Sequence, residues 1–64
     1  MTPIRGRYEV RLPDGSKELE VMAINHRDAI LRWCVKTGLD KTEAMARRAY
    51  RYRKPSRWKR YDEI

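Results

Sequence analysis

The sequence predicts a small α+β domain in which a β-hairpin packs against one or two helices. Two observations support this fold class. Apolar residues alternate with charged ones on both sides of a Pro-Asp-Gly-Ser turn, and an apolar stripe of helical period follows. A chain of 64 residues provides one modest core. We therefore expect one basic domain over residues 1–64, with 1–6 and 56–64 as candidate flexible termini.

The hairpin is predicted over residues 7–23. Tyr8 and Val10 alternate with charged residues before the turn, and Leu19 and Val21 do so after it. A register that puts all four on one face pairs Val10 with Leu19 and Tyr8 with Val21. A slip of one residue would set apolar side chains against glutamates, so the pattern selects this register.

The other face of the hairpin has a charge pattern of its own. The same register sets Arg11 opposite Glu18, which is an attractive cross-strand pair. It also sets Glu9 opposite Glu20, which is a repulsive pair. We expect a basic side chain from elsewhere in the chain to cover these two carboxylates.

A first helix is predicted to begin after Asn25 and to end at about Thr37. Asn25 is a good N-cap, Asp28 lies near the positive end of the helix dipole, and Gly38 suits a left-handed C′ position. Its apolar face is expected to include Ile30, Leu31, Trp33, Cys34, Val35 and Thr37. The predicted core joins this face to the hairpin and comprises Tyr8, Val10, Leu19, Val21, Ile30, Trp33 and Cys34.

A second helix is predicted from Asp40, where Asp-Lys-Thr-Glu has capping-box spacing, to Arg53 or Lys54, just before Pro55. This helix would be amphipathic. Its apolar arc would hold Met45, Ala46, Ala49, Tyr50 and Tyr52, and its basic arc would hold Arg47, Arg48, Arg51 and Lys54. A strand over residues 49–54 is the alternative, because tyrosines alternate with arginines there. Residues 56–64 would form either an edge strand that completes a three-stranded sheet or a tail that orders on binding.

Positive charge is concentrated near the end of the sequence. The net charge is +7, and residues 47–60 contain eight of the sixteen Lys and Arg residues and no acidic residue. Aromatic residues are interleaved with these cations. Such a mixture is typical of segments that neutralise phosphates and stack on bases, so the sequence predicts a nucleic-acid-binding module.

The predicted nucleic-acid contacts are Arg47, Arg48, Arg51, Lys54, Arg57, Trp58, Lys59 and Arg60. Tyr52 and Trp58 are the candidates for stacking. One alternative is a protein-interaction module or inhibitor that docks its basic helix on an acidic surface of a larger enzyme, such as host RNA polymerase. A solvated helix face, with core tyrosines and arginines lying over it, is a purely structural alternative.

Other kinds of chemistry find little support in the sequence. Cys34 is the single cysteine, so no intramolecular disulfide can form, and we expect it to be a small core residue. His26 has no second ligand at metal-binding spacing and is expected on the surface. We expect no catalytic residues, metal, cofactor or small-molecule substrate. Since no disulfide can form, a reducing compartment fits best and we expect a cytoplasmic protein. The absence of a long apolar run predicts no membrane insertion and no export signal.

The hairpin followed by a helix that begins Asn-His-Arg-Asp-Ala-Ile resembles many small bacterial and phage domains. Among them are the sheet-plus-helix arm-binding modules of phage integrases and small phage inhibitors of host RNA polymerase. The resemblance covers residues 7–38 and lies in topology, so no functional residue is carried over from it. It implies a bacterial or phage regulatory protein.

Overall fold

The computed structural model describes residues 4–64 and confirms the α+β fold. Four strands form one antiparallel sheet within these residues, in the order β2-β1-β3-β4, and one helix packs on one face of the sheet. The elements are β1 Gly6–Arg11, β2 Leu19–Ala23, α1 His26–Thr37, β3 Met45–Arg48 and β4 Lys59–Arg60, followed by a 3-10 turn at Tyr61–Glu63. Part of the predicted flexible N-terminus, residues 1–3, lies outside the described residues.

The hairpin has the predicted register. Tyr8 pairs with Val21, Val10 pairs with Leu19, and the two outward glutamates face each other. The turn is stabilised by Asp14, whose carboxylate accepts hydrogen bonds from the Ser16 amide at 2.9 Å and the Ser16 hydroxyl at 2.7 Å. The alternation of apolar residues therefore identified both the strands and their pairing.

Helix α1 begins and ends where the sequence indicates. The Asn25 side chain accepts a hydrogen bond from the Asp28 amide at 2.8 Å, which satisfies one of the free amides of the first turn. Gly38 has a φ of 74° and donates its amide to the Cys34 carbonyl at 2.8 Å. Both caps were predicted and both are confirmed.

The core lies between α1 and the inner face of the sheet. Its largest side chain, Trp33, has no exposed surface, and its indole N–H donates to the Lys17 carbonyl at 2.8 Å. The buried residues are Tyr8, Val10, Val21, Ala23, Ala29, Ile30, Trp33, Ala44 and Ala46. Four of the nine are alanines, so the core is thin and depends on few large side chains.

Several predicted members of the core and of the α1 apolar face are not fully buried. Cys34 and Thr37 are half-buried, Leu19 and Leu31 are partly exposed, and Val35 is 86 % exposed. Leu19 lies on β2, which is an edge strand, and Val35 lines an open pocket beside that strand. Within residues 4–64 no strand extends the sheet beyond β2, so these two side chains remain open to solvent.

The predicted second helix is wrong. Asp40 does not cap a helix, because its carboxylate accepts hydrogen bonds from the Lys41 amide at 2.7 Å and the Thr42 hydroxyl at 2.5 Å within a turn. The same residue types favour a turn as well as a helix start. After this turn the chain enters β3, whose backbone pairs with the free side of β1 and buries Ala46 in the core. Tertiary pairing thus overrides the helical preference of the segment.

The segment after β3 also differs from the alternative prediction. The strand ends at Arg48, and residues 49–58 form an irregular connection rather than a strand over 49–54. The predicted edge strand exists as β4, which pairs with β3 through Met45 opposite Arg60 and Ala46 opposite Lys59. It is therefore the fourth strand of the sheet rather than the third.

Truncation of the helix core tests this packing. Ile30→Ala is expected to reduce the free energy of unfolding by about 2 to 4 kcal/mol, because Ile30 is fully buried and the lost side chain leaves a cavity. Val35→Ala, on the same helix but exposed, is the matched control and should change it by less than about 0.5 kcal/mol. Urea unfolding followed by Trp fluorescence measures both. Equal effects would contradict the described orientation of α1.

Candidate nucleic-acid interface

The face of the sheet opposite α1, here called the outer face, has no helix packed on it in the described chain. Side chains alternate along a strand, so the register that buries Val10 and Ala46 turns Arg11 and Arg47 outward. Arg60 lies opposite Met45 and belongs to the same face. The outer face therefore collects cations from β1, β3 and β4.

An ion pair fixes β3 against β1 on this face. The Arg47 guanidinium donates to the Glu9 carboxylate at 2.6 Å, and both side chains are only about one quarter exposed. The neighbouring carboxylate, Glu20, is paired with Arg7 at 3.3 Å. The repulsive pair of glutamates is thus covered by basic side chains, as predicted, and one of them comes from a distant strand.

Trp58 lies half-buried beside β3 and holds two arginines. The guanidinium carbons of Arg11 and Arg47 lie 4.2 Å and 4.4 Å from the centre of its ring. Such cation–π contacts orient a guanidinium while leaving N–H groups on its edge for another acceptor. Arg11 Nε is buried and has no hydrogen-bond partner within residues 4–64. The predicted stacking residue Trp58 therefore serves first as a support for two cations.

Arg48 points to the other face of the sheet. Its guanidinium lies 5.2 Å from the centre of the Tyr8 ring and packs directly over Gly6, where an added Cβ would overlap it. Gly6 has no Cβ and so leaves room for this close approach, and the flexible guanidinium end of Arg48 would have to move aside for a larger residue. Arg48 was predicted to share a basic helix arc with Arg47, and the strand instead separates the two residues onto opposite faces.

Ser56 closes the base of the connection between β3 and β4. Its amide donates to the Arg48 carbonyl at 2.9 Å, and its hydroxyl accepts from the Arg48 amide at 2.7 Å. These two hydrogen bonds close residues 49–55 into a loop, called here the 49–55 loop. Sequence analysis did not identify Ser56, because its partners become neighbours only through the fold.

The 49–55 loop carries exposed cations and aromatics. Arg53 lies 4.3 Å from the centre of the Tyr50 ring, and Arg51 lies 5.8 Å from that of Tyr52. Tyr52 is 89 % exposed, which is unusual for so large an apolar surface. The loop residues with exposed side chains are Tyr50, Arg51, Tyr52, Arg53, Lys54 and Pro55.

The remaining predicted contacts do not all lie on the outer face. Arg57, Lys59 and Arg60 are exposed, but Lys59 lies opposite the buried Ala46 and so turns toward the α1 side. The predicted basic helix arc of Arg47, Arg48, Arg51 and Lys54 does not form, because residues 45–48 are a strand and residues 49–58 an irregular connection. Across residues 4–64, Arg47 is the one basic residue of the 47–60 segment within ion-pair distance of a carboxylate. Most of the positive charge of the 47–60 segment is therefore uncompensated within the described structure.

His26 links α1 to the loop base. It was expected on the surface, but it is half-buried, with its ring 5.0 Å from that of Tyr8 and Nε2 3.4 Å from the Ser56 hydroxyl. Burial, followed by the positive charges of Lys59 and Arg48, lowers the pKa of His26. The folded protein therefore favours the neutral imidazole.

Other functional groups form no second site in the described part of the chain. Burial, followed by the Asp40 carboxylate, raises the pKa of the Cys34 thiol, so the reactive thiolate is disfavoured. Within residues 4–64, no three His, Cys, Asp or Glu side chains are grouped so that they could hold a metal ion. No helix in that range is long and apolar enough to cross a membrane.

The lowered pKa of His26 predicts a pH dependence of stability. The unfolded state binds a proton below about pH 6.5, before the folded state does, so stability is greatest above that value and falls as the pH decreases from about 7 to 5. Carboxyl groups titrate mainly below this window. Thermal unfolding at several pH values measures the effect, and His26→Gln should flatten it. A wild-type protein with constant stability across the window would contradict the described environment.

Comparisons with protein families, curated protein sequences and solved structures give no match for this chain.

Proposed function

We propose that the protein is a nucleic-acid-binding module whose interface comprises β4, the 49–55 loop and the cations of the outer face. The main observation is the acid-free 47–60 segment, whose basic side chains are largely exposed and, apart from Arg47, have no carboxylate partner within residues 4–64. Concentrated charge of one sign repels itself and destabilises the compact state. A polyanion removes this repulsion and gains counterion release.

The arginines of the interface suit phosphate in particular. Arg11 and Arg47 are held against Trp58, so little side-chain freedom is lost when a phosphate binds their edges. Arg51, Lys54 and Arg57 are exposed and can adjust to a flexible backbone. The interface combines two oriented cations with several mobile ones, which favours phosphate contact over the reading of base sequence.

An acidic protein surface remains the second candidate partner. The docking mode predicted from the sequence used a basic helix, and residues 40–54 contain no helix. The exposed Tyr52 beside Arg51 supports a version of it, because Tyr and Arg are frequent hot spots in protein interfaces. Binding to polynucleotides distinguishes the two proposals directly.

A salt series tests the proposed function. If five or six cations reach phosphates, a plot of log affinity against log salt should have a slope of roughly −4.5 to −5.4 for duplex DNA, at about 0.9 per contact. For single strands the slope should be roughly −3.5 to −4, at about 0.7 per contact. Fluorescence anisotropy with random-sequence DNA and RNA, single-stranded and duplex, measures the slope. Absence of binding at low salt for all four would favour the acidic-protein alternative.

Matched charge variants locate the interface. Arg51→Gln with Lys54→Gln should lower the magnitude of the slope by about 1.4 to 1.8, because two phosphate contacts are lost. Lys17→Gln with Lys36→Gln removes the same charge from the hairpin turn and from α1. All four side chains that the two double variants replace are exposed. This control should leave the slope unchanged. Equal losses from the two double variants would reduce the interface to general positive charge.

A further inference from the structure

We propose that the interface takes a single-stranded polynucleotide in preference to a duplex, and that Tyr52 stacks on an unpaired base. This inference rests on the proposed function and specifies the class of ligand. Three features of the described residues support it: the narrow width of the region with uncompensated charge, the high exposure of the Tyr52 ring in the loop, and the packing of the Trp58 ring against two arginines.

The uncompensated charge covers only one side of the sheet. Neighbouring strands lie about 4.8 Å apart, so β1 and β2 are roughly 10 to 14 Å from β4. The carboxylates on the outer side of β1 and β2 are neutralised within the sheet, since Glu20 is paired with Arg7 and Glu9 with Arg47. Among residues 4–64, Arg11 is the one outward cation of these two strands without a carboxylate partner, and it lies against Trp58. Uncompensated positive charge on this side of the sheet is thus concentrated on β4, the 49–55 loop and Arg11.

A duplex does not fit this distribution well. Its two phosphate chains lie about 12 Å apart across the major groove. With one chain over β4, the second chain would lie over β1 and β2, where the Glu9 and Glu20 carboxylates lie and Arg11 is the one outward cation without a carboxylate partner among residues 4–64. A single phosphate chain can follow β4 and the loop without approaching these carboxylates.

Tyr52 is placed for stacking on a base. Its ring is 89 % exposed, whereas Tyr8 is buried and Trp58 is half-buried between arginines. Ser56 ties the ends of the 49–55 loop together, so the ring is presented on a closed loop rather than on a free tail. The flanking Arg51 and Arg53 can neutralise the phosphates on either side of a stacked nucleotide. Only an unpaired base offers its face to such a ring.

The test compares a strand of about 12 nucleotides without self-complementarity with the duplex that it forms with its complement. The strand is DNA or RNA, whichever binds more tightly in the salt series. Wild type should bind the single strand more tightly than the duplex. Tyr52→Ala should weaken single-strand binding by about 5- to 150-fold, since stacking contributes about 1 to 3 kcal/mol per base, and should leave duplex binding within about twofold.

Two further variants separate stacking from bulk. Tyr52→Phe keeps the aromatic face and should retain single-strand affinity within about twofold, whereas Tyr52→Leu keeps an apolar side chain without that face and should lose nearly as much as Tyr52→Ala. Tyr52 is exposed, so thermal unfolding of all three variants should match wild type.

Failure of the inference is distinguishable from failure of the proposed function. Wild-type binding to duplex that equals or exceeds binding to the single strand, or a Tyr52→Ala variant that binds the single strand like wild type, would overturn the inference alone. A greater loss of duplex binding in Tyr52→Ala would also overturn it, because the ring would then act as a wedge. Absence of binding to any polynucleotide would overturn both proposals.

Discussion

Pairing of β1 on both of its sides is the constraint on which the other features of the structure depend. The hairpin turn supplies β2 on one side, and β3 must return from the far end of α1 to satisfy the other. This return brings Ala46 into the core and Arg47 against Glu9. The ion pair is mostly shielded from solvent, so loss of either partner would leave a poorly solvated charge. Core packing and charge pairing thus select the same register for β3.

The arrangement gives the two faces of the sheet different roles. The inner face holds a thin core in which Trp33 and Ile30 of α1 cover small side chains of the strands. Within residues 4–64 the outer face is not covered by a helix and carries charge, with ion pairs toward β2 and cations without a carboxylate partner toward β4. Trp58 connects the two sets, because its ring contacts both the unpaired Arg11 and the paired Arg47. The proposed interface is therefore a consequence of the strand order, which places the acid-free segment at one edge.

The loop base connects stability with the interface. Ser56 joins the end of β3 to the start of α1, where His26 is held neutral beside Arg48 and Lys59. Protonation of the imidazole would add a third positive charge at this point and weaken the closure of the 49–55 loop. Phosphates bound nearby would oppose this effect by offsetting the positive charge. We therefore expect the charge of His26 to affect both the stability of the fold and the proposed interface.

The sequence by itself determined the hairpin, its register, both caps of α1 and the position of the positive charge, because each depends on residues close together in the chain. It also indicated that a distant basic residue must cover Glu9. Only the tertiary structure decided that residues 45–48 form a strand, since the free side of β1 outweighs a weak helical pattern. That decision separates Arg47 from Arg48, brings Arg11 to Trp58 and leaves Tyr52 exposed. The contact between Arg11 and Trp58 joins residues far apart in sequence, and local periodicity carries no information about it.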